Sequence, residues 1–149
     1  MKNHQNPFTI GSWAFDRVPP GCETLEGHGF RYTTKGRTIW SAIAVEDSLG
    51  LEVTLEQYVD TQTRLLQNLF GNVQADPPKP KNVKGAEQGL EISLRLIIQD
   101  RNLLQRQIYA RRGRAVGILT FTIDPGLPQP LPTTLQTFES SLQFLPAAG

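Results

Sequence analysis

From Leu90 onward the chain alternates: Leu90, Ile92, Leu94, Leu96 and Ile98 take one parity, and Glu91, Ser93, Arg95 and Gln99 the other. Only Ile97 breaks the polar set. Side chains of an extended strand point alternately to opposite faces, so this pattern predicts a half-buried strand. Two further runs, Leu103–Arg111 and Ala115–Ile123, are dense in Ile, Leu, Val, Tyr, Phe and Thr and free of proline. Polar corners at Asp100-Arg101-Asn102 and Arg112-Gly113-Arg114 separate the three, which predicts an antiparallel meander over Leu90–Ile123. Upstream, Gly29–Thr34 and Arg37–Val45 read as a hairpin turning at Lys35-Gly36. In its second arm Ile39, Ser41, Ile43 and Val45 share one face, and Trp40, Ala42 and Ala44 the other. With both faces largely apolar, that strand is covered on both sides or exposes one of them for a reason. Phe8–Ile10 reads as a short first strand, and Pro19-Pro20-Gly21 breaks whatever Trp13, Phe15 and Val18 form.

One stretch changes period. Thr54-Leu55-Glu56-Gln57 is a capping box, in which the threonine side chain accepts an early N–H and the glutamine reaches back. Leu55, Tyr58, Val59, Leu65, Leu66, Leu69 and Phe70 then recur at helical spacing against Gln57, Asp60, Thr61, Arg64 and Gln67. Gly71 stops a helix of about four turns. Asp76–Lys84, with three prolines and three lysines, is a solvated connector. Asp124–Pro132 is too rich in proline for regular structure. Thr133 or Thr134 caps a second helix carrying Leu135, Phe138 and Leu142, stopped near Pro146. The expectation is one α+β domain over residues 1–149. Its antiparallel sheet, an N-terminal hairpin plus a C-terminal three-stranded meander, is packed with two main helices.

Composition narrows the chemistry. The 149 residues carry a formal net charge of +1, which gives no support for a nucleic-acid partner. A single cysteine, Cys22, excludes a disulfide framework and a cysteine-rich zinc site. Cys22 and His28, with Glu23 or Glu26, lack the surrounding motif of a nucleophile and base, and three or four metal ligands cannot be assembled. No phosphate-binding glycine loop and no nucleophile elbow is present. These readings predict no enzyme, no catalytic residue, no cofactor and no metal. The first residues show no apolar leader and no run reaches the roughly 18 apolar residues of a span, so a cytoplasmic protein that does not insert into membranes is expected. Arg111, Arg112 and Arg114 read as a solvated hairpin tip or as a contact for a phosphate or acidic partner.

The candidate surface rests on strand register. A three-residue corner at Asp100–Asn102 would place Ser93, Arg95 and Ile97 beside Gln105, Gln107 and Tyr109 and keep most apolar residues together on the other face. A two-residue corner would mix glutamine into the apolar face, so three is the expectation. The resulting face is either the wet side of the sheet or a surface for a partner helix, whose polar atoms the glutamines can meet. Ile39, Trp40 and Ile43 are core, or line a groove if the sheet is open.

Over Trp40–Phe144 the chain also resembles a known family. The segments are Gln105-Arg106-Gln107-Ile108-Tyr109, the basic glycine corner, Val116-Gly117-Ile118-Leu119-Thr120-Phe121-Thr122, a proline-broken loop and Phe138-Glu139-Ser140-Ser141-Leu142-Gln143-Phe144. Thr54-Leu55-Glu56-Gln57-Tyr58 fits the same pattern's Thr-Leu-Glu-x-Tyr helix start. Together they resemble the DcrB-related family, of PsbP-like fold, and within it the Eag-type chaperones of type VI secretion. The N-terminal part departs: Trp13 and Asp16-Arg17 keep the family's order, but Val18-Pro19-Pro20 stands where a strand begins. The resemblance implies a chaperone or adaptor binding hydrophobic transmembrane helices of a secreted effector, with self-association into a homodimer. The partner-binding residues it implies are Gln105, Gln107, Tyr109, Arg95, Ile97, Ile39, Trp40 and Ile43. The alternative is a small-ligand-binding or structural subunit without catalytic activity.

Overall fold

The computed structural model of the chain describes residues 8–15, 22–25, 29–34, 37–123, 139 and 141–146. Their order is β1 (Phe8–Ile10), β2 (Trp13–Phe15), β3 (Cys22–Leu25), β4 (Gly29–Thr34), β5 (Arg37–Ser48), α1 (Leu55–Phe70), β6 (Val73–Ala75), β7 (Lys79–Pro80), β8 (Gln88–Ile98), β9 (Arg101–Arg112), β10 (Ala115–Ile123) and β11 (Gln143–Phe144). The large sheet runs β3-β4-β5-β10-β9-β8-β6, with β7 also paired to β8, and a small sheet runs β1-β2-β11. Every pairing between strands is antiparallel.

Helix α1 forms where the spacing places it. Gln57 N–H donates to Thr54 Oγ1 at 3.1 Å, Thr54 N–H donates to Gln57 Oε1 at 2.9 Å, and Gly71 ends the helix at φ 76°. Leu55, Val59 and Thr63, four apart, are its buried stripe. The hairpin β4–β5 and the meander β8–β9–β10 also stand where the apolar runs put them.

Two expectations are corrected. Among the described residues the architecture is mostly antiparallel strand with a single helix, not a sheet packed with two main helices. Most of the second predicted helix, residues 133–138, lies outside the described residues. Where the chain is described again, Leu142 is buried and leads into β11, whose Gln143 and Phe144 pair with Ala14 and Trp13 of β2. The second correction is register. The β8–β9 corner has two residues, Gln99 and Asp100, at φ 51° and 62°, so Leu94 faces Gln105, Ile92 faces Gln107 and Leu90 faces Tyr109. Both corner residues take the left-handed conformation that a two-residue turn with the twist of its strands requires.

The sheet therefore has a core on each side. On the helix face Leu55 and Val59 of α1 pack on Leu90, Ile92, Leu94 and Leu96 of β8, with Tyr109, Val116 and Ile118 beyond. On the back face the small sheet packs Trp13, Phe15 and Phe144 onto Phe30, Trp40, Ile108, Leu119 and Phe121. Phe30 sits edge-on between Phe15 and Trp40, with ring centroids 5.5 and 5.6 Å away. Gly117 lets Trp13 and Phe144 close down on β10: a Cβ there would lie 2.4 Å from a Phe144 ring carbon.

Candidate functional site

Helix α1 packs on β8, β6 and the near side of β9, and its core extends to Val116 and Ile118 of β10; beyond them, Thr120 and Thr122 of β10 and the helix face of β5 are left without its cover among the described residues. Ile43 and Val45 of β5 consequently stand 43% and 50% exposed in the middle of a sheet. At 100° per residue, Tyr58, Gln62, Leu65 and Leu69 fall on one flank of the helix. Tyr58 shows which way that flank looks. Its ring packs edge-on against Tyr109, and its hydroxyl crosses to Asp47 of β5, donating to Oδ2 at 2.6 Å. Leu65 and Leu69, 51% and 75% exposed, therefore look over the uncovered strands.

The result is a groove with two apolar walls, Leu65 and Leu69 on the helix side and Ile43 and Val45 on the β5 side. Its floor is polar. Pairing across the meander sets Gln107 beside Thr120 and Ile43, and Gln105 beside Thr122 and Ser41. Gln107 is buried and accepts from the Tyr109 hydroxyl at 2.6 Å, while Gln105 donates to Thr122 Oγ1 at 3.3 Å. The Tyr58–Asp47 bridge closes one end. Burial raises the pKa of both phenols well above the usual tyrosine value, with the Asp47 contact adding to it at Tyr58, so both hydroxyls remain donors. Between Tyr58 and Leu69 the helix rises about 16 Å, which sets the groove's length.

This arrangement gathers four of the expected residues and scatters the rest. Ile43, Gln105, Gln107 and Tyr109 share the helix face, with Tyr109 beneath the helix as core and not as open surface. Arg95 and Ile97 are exposed on the opposite face, because the two-residue corner shifts the pairing by one. Trp40 is fully buried in the back-face core. The side chain of Ile39 lies outside the described residues. Val45, Leu65, Leu69, Thr120 and Thr122 belong to the groove and were not expected in it. Their signal was the excess of apolar positions on α1 and β5 over what one core can bury.

Other candidate chemistry resolves into structure. Arg111 donates to Glu87 and Gln88, Gly113 N–H donates to Glu87, and Arg114 donates to the Leu49 carbonyl at 2.9 Å. The arginine corner is thus clasped to two neighbouring segments. On the back face Arg106 lies between Glu91, at 3.1 Å, and Glu139, with its guanidinium 5.5 Å from the centre of the Phe121 ring. Burial lowers its pKa while Glu91 pulls the other way. Cys22 packs against the back-face core, and burial pushes its thiol up to about 11, away from nucleophilic use. His28 and Glu26 lie outside the described residues. Among the described residues no three His, Cys, Asp or Glu side chains could together hold a metal, and no helix is long and apolar enough to cross a membrane.

No family model matches the chain, and no curated protein matches it in sequence. Solved structures do match in three dimensions. LpqN of Mycobacterium tuberculosis, involved in cell envelope biogenesis, aligns at TM-score 0.57 and 14% identity over 97% of this chain and 93% of its own. The cyanobacterial PsbP of Synechocystis aligns at TM-score 0.57 and 14% identity over 89% of this chain and 86% of its own. The fold is PsbP-like. A Pseudomonas aeruginosa protein of unknown function, PA94, is similar at TM-score 0.52 and 20% identity; the match covers 62% of this chain and 63% of that one, just under two-thirds of its length. At such identities the likeness is one of fold alone.

Proposed function

We propose that the protein is a binding protein without catalytic activity, which takes a partner's apolar helix into the groove between α1 and β5 and shields it from water. One observation carries this reading: four large apolar side chains, Ile43, Val45, Leu65 and Leu69, remain exposed around a floor of threonine and glutamine. Apolar walls supply a driving force of roughly 25 cal/mol per Å² buried, before ordering costs. The amides of the floor serve the polar atoms that such a helix carries.

The resemblance of Trp40–Phe144 to the Eag-type chaperones supports a finer reading: a cytoplasmic adaptor holding the transmembrane segments of a type VI secretion effector before export. A span of about 20 apolar residues is some 30 Å long. A groove of about 16 Å covers about half of it, which favours a pair of copies on one segment. Co-expression with an effector bearing such segments tests the reading. The effector should be soluble and abundant only when this protein is present, and equal yield without it sinks the idea.

The second reading, a small-ligand binder, is favoured by a back-face cleft of about 1050 Å³ lined by Lys81, Lys84, Glu87, Glu139 and Gln143 among others. A metabolite mixture passed over the purified protein separates the two. Retention of a small molecule that survives Ile43→Thr with Val45→Thr places function in the cleft.

A further inference from the structure

The lysine- and proline-rich segment after β6 forms a strap. Lys79 and Pro80 pair with Glu91 and Leu90 of β8, and Lys81 N–H donates to the Gly89 carbonyl at 3.0 Å. Further along, the Lys84 carbonyl accepts from Phe144 N–H at 2.8 Å, and Glu87 N–H donates to the Arg111 carbonyl at 2.8 Å. Gly89 lets the strap lie this close, since a Cβ there would run into the Lys81 carbonyl oxygen. Tied to β8 at one end and to β11 at the other, the strap walls the back-face cleft of about 1050 Å³. The floor of the cleft is apolar. Ile108 and Leu142 belong to the back-face core, and Val83 and Ala86 of the strap pack against that core.

The charges on the cleft do not balance. Glu87 accepts from Arg111 at 3.2 Å and from Gly113 N–H at 2.6 Å, and Glu139 meets Arg106, which also holds Glu91 at 3.1 Å. Both carboxylates that line the cleft are therefore spent on arginines. Lys81 and Lys84 line it too, and among the described residues neither ammonium has a carboxylate or another acceptor of the protein to meet. Lys81 is also half-buried, and an ammonium drawn partly out of water gains from an anion beside it. We infer that the cleft binds a small organic anion, whose carboxylate or phosphate group meets Lys81 and Lys84 while its body rests on Ile108 and Leu142. The inference rests on the small-ligand reading of the cleft and deepens it, and it is independent of the groove, which opens on the other face of the sheet. The volume suits a molecule of metabolite size. A cation would find the carboxylates taken and both lysines opposed to it. A neutral molecule would gain the floor and leave the two ammonium groups as they are.

The test uses four probes that share a benzene ring: phenyl phosphate, benzoate, benzamidine and benzyl alcohol. Each is titrated into the isotope-labelled protein and followed by its backbone amide NMR shifts. Ligands of about ten non-hydrogen atoms bind in the millimolar range, which such shifts resolve. The two anions should move the signals of the strap and of Gln143 and Phe144, and benzamidine and benzyl alcohol should not at the same concentration. Whichever anion binds more tightly tells a carboxylate ligand from a phosphate one. Lys81→Gln with Lys84→Gln should weaken both anions by about three- to thirtyfold, and Lys81→Glu with Lys84→Glu should make benzamidine the better ligand. The strap is tied by backbone bonds, so neither pair of changes should move Tm by more than about 4 °C. Equal binding of all four probes overturns the inference and leaves the cleft a small-ligand site. Inorganic phosphate binding as tightly as phenyl phosphate also overturns it, because the lysines alone would then hold the anion. Silence from every probe at about 10 mM overturns the inference and the small-ligand reading together.

Discussion

The groove makes its strongest prediction through its β5 wall. Fully burying a valine, leucine or isoleucine side chain is worth about 1.5–3 kcal/mol. Ile43, Val45, Leu65 and Leu69 retain 43%, 50%, 51% and 75% of their exposure, so covering them offers about 3–7 kcal/mol before ordering costs. Ile43→Thr with Val45→Thr keeps branched side chains that suit a strand while removing apolar surface from one wall. Binding of a helical peptide, followed by fluorescence anisotropy, should weaken by about 1–2 kcal/mol, or about 5- to 30-fold in Kd. Because these side chains are already half in water, Tm should fall by no more than about 4 °C. Ile97→Thr is the matched control: Ile97 is 48% exposed but lies on the opposite face of the sheet. It should leave binding unchanged. If Ile97→Thr weakens binding and the β5 pair does not, the wrong face has been assigned and the reasoning fails.

Three further outcomes test the framework that positions the groove. Gln99 and Asp100 hold φ of 51° and 62°, so Gln99→Asn with Asp100→Gly should raise stability by about 1 kcal/mol, or Tm by about 2–4 °C; a fall would mean that the native side chains hold the corner. Gly117→Ala drives a methyl against the Phe144 ring and the Trp13 indole nitrogen, and should cost about 1–3 kcal/mol in chemical denaturation; an unchanged midpoint would show that the small sheet is not packed on β10. The Cys22 thiol, raised by burial from 9.0 to about 11, should be alkylated at half its limiting rate near pH 11 in the native protein. Because the folded value is the higher one, the stability this burial confers is complete below about pH 9 and is lost as pH climbs through about 11. A native alkylation midpoint near 9 would contradict the burial.

Much of the fold is written locally. The capping box at Thr54 and Gln57 and the stop at Gly71 need only neighbours within one turn, and α1 begins and ends on them. The eleven residues of β8 alternate long enough for their period to be unmistakable. The small sheet is different. Its strands are two or three residues long, too short to show a period; β11 pairs with β2 on one side, where Leu145 N–H also finds the Ser12 carbonyl, and Phe144 N–H finds the Lys84 carbonyl of another segment. Those partners lie far away in sequence. Trp40 likewise reads most simply as core, or as groove lining if the sheet is open, and Phe30 and Phe121 close around it to make it core.

The site turned on one residue of register. Apolar consistency alone favours a three-residue corner after β8, since it keeps Gln105 and Gln107 away from Leu94 and Ile92. That argument assumes the apolar face is buried along its whole width. It is not: the core under α1 takes in β8, β6 and Val116 and Ile118 of β10, and stops short of Thr120, Thr122 and β5. Where the cover ends, a polar side chain on the apolar side costs little, because one end of it can still reach water or a partner. Gln107 stands at that boundary, its oxygen held by Tyr109 under the helix and its nitrogen at the edge of the open strands. The two-residue turn carries its own strain at Gln99 and Asp100, and the sheet tolerates it because Leu96 then meets Leu103 and Leu90 meets Tyr109 beneath α1. The same glutamines that look misplaced in a closed core are well placed at the floor of a groove that something else completes.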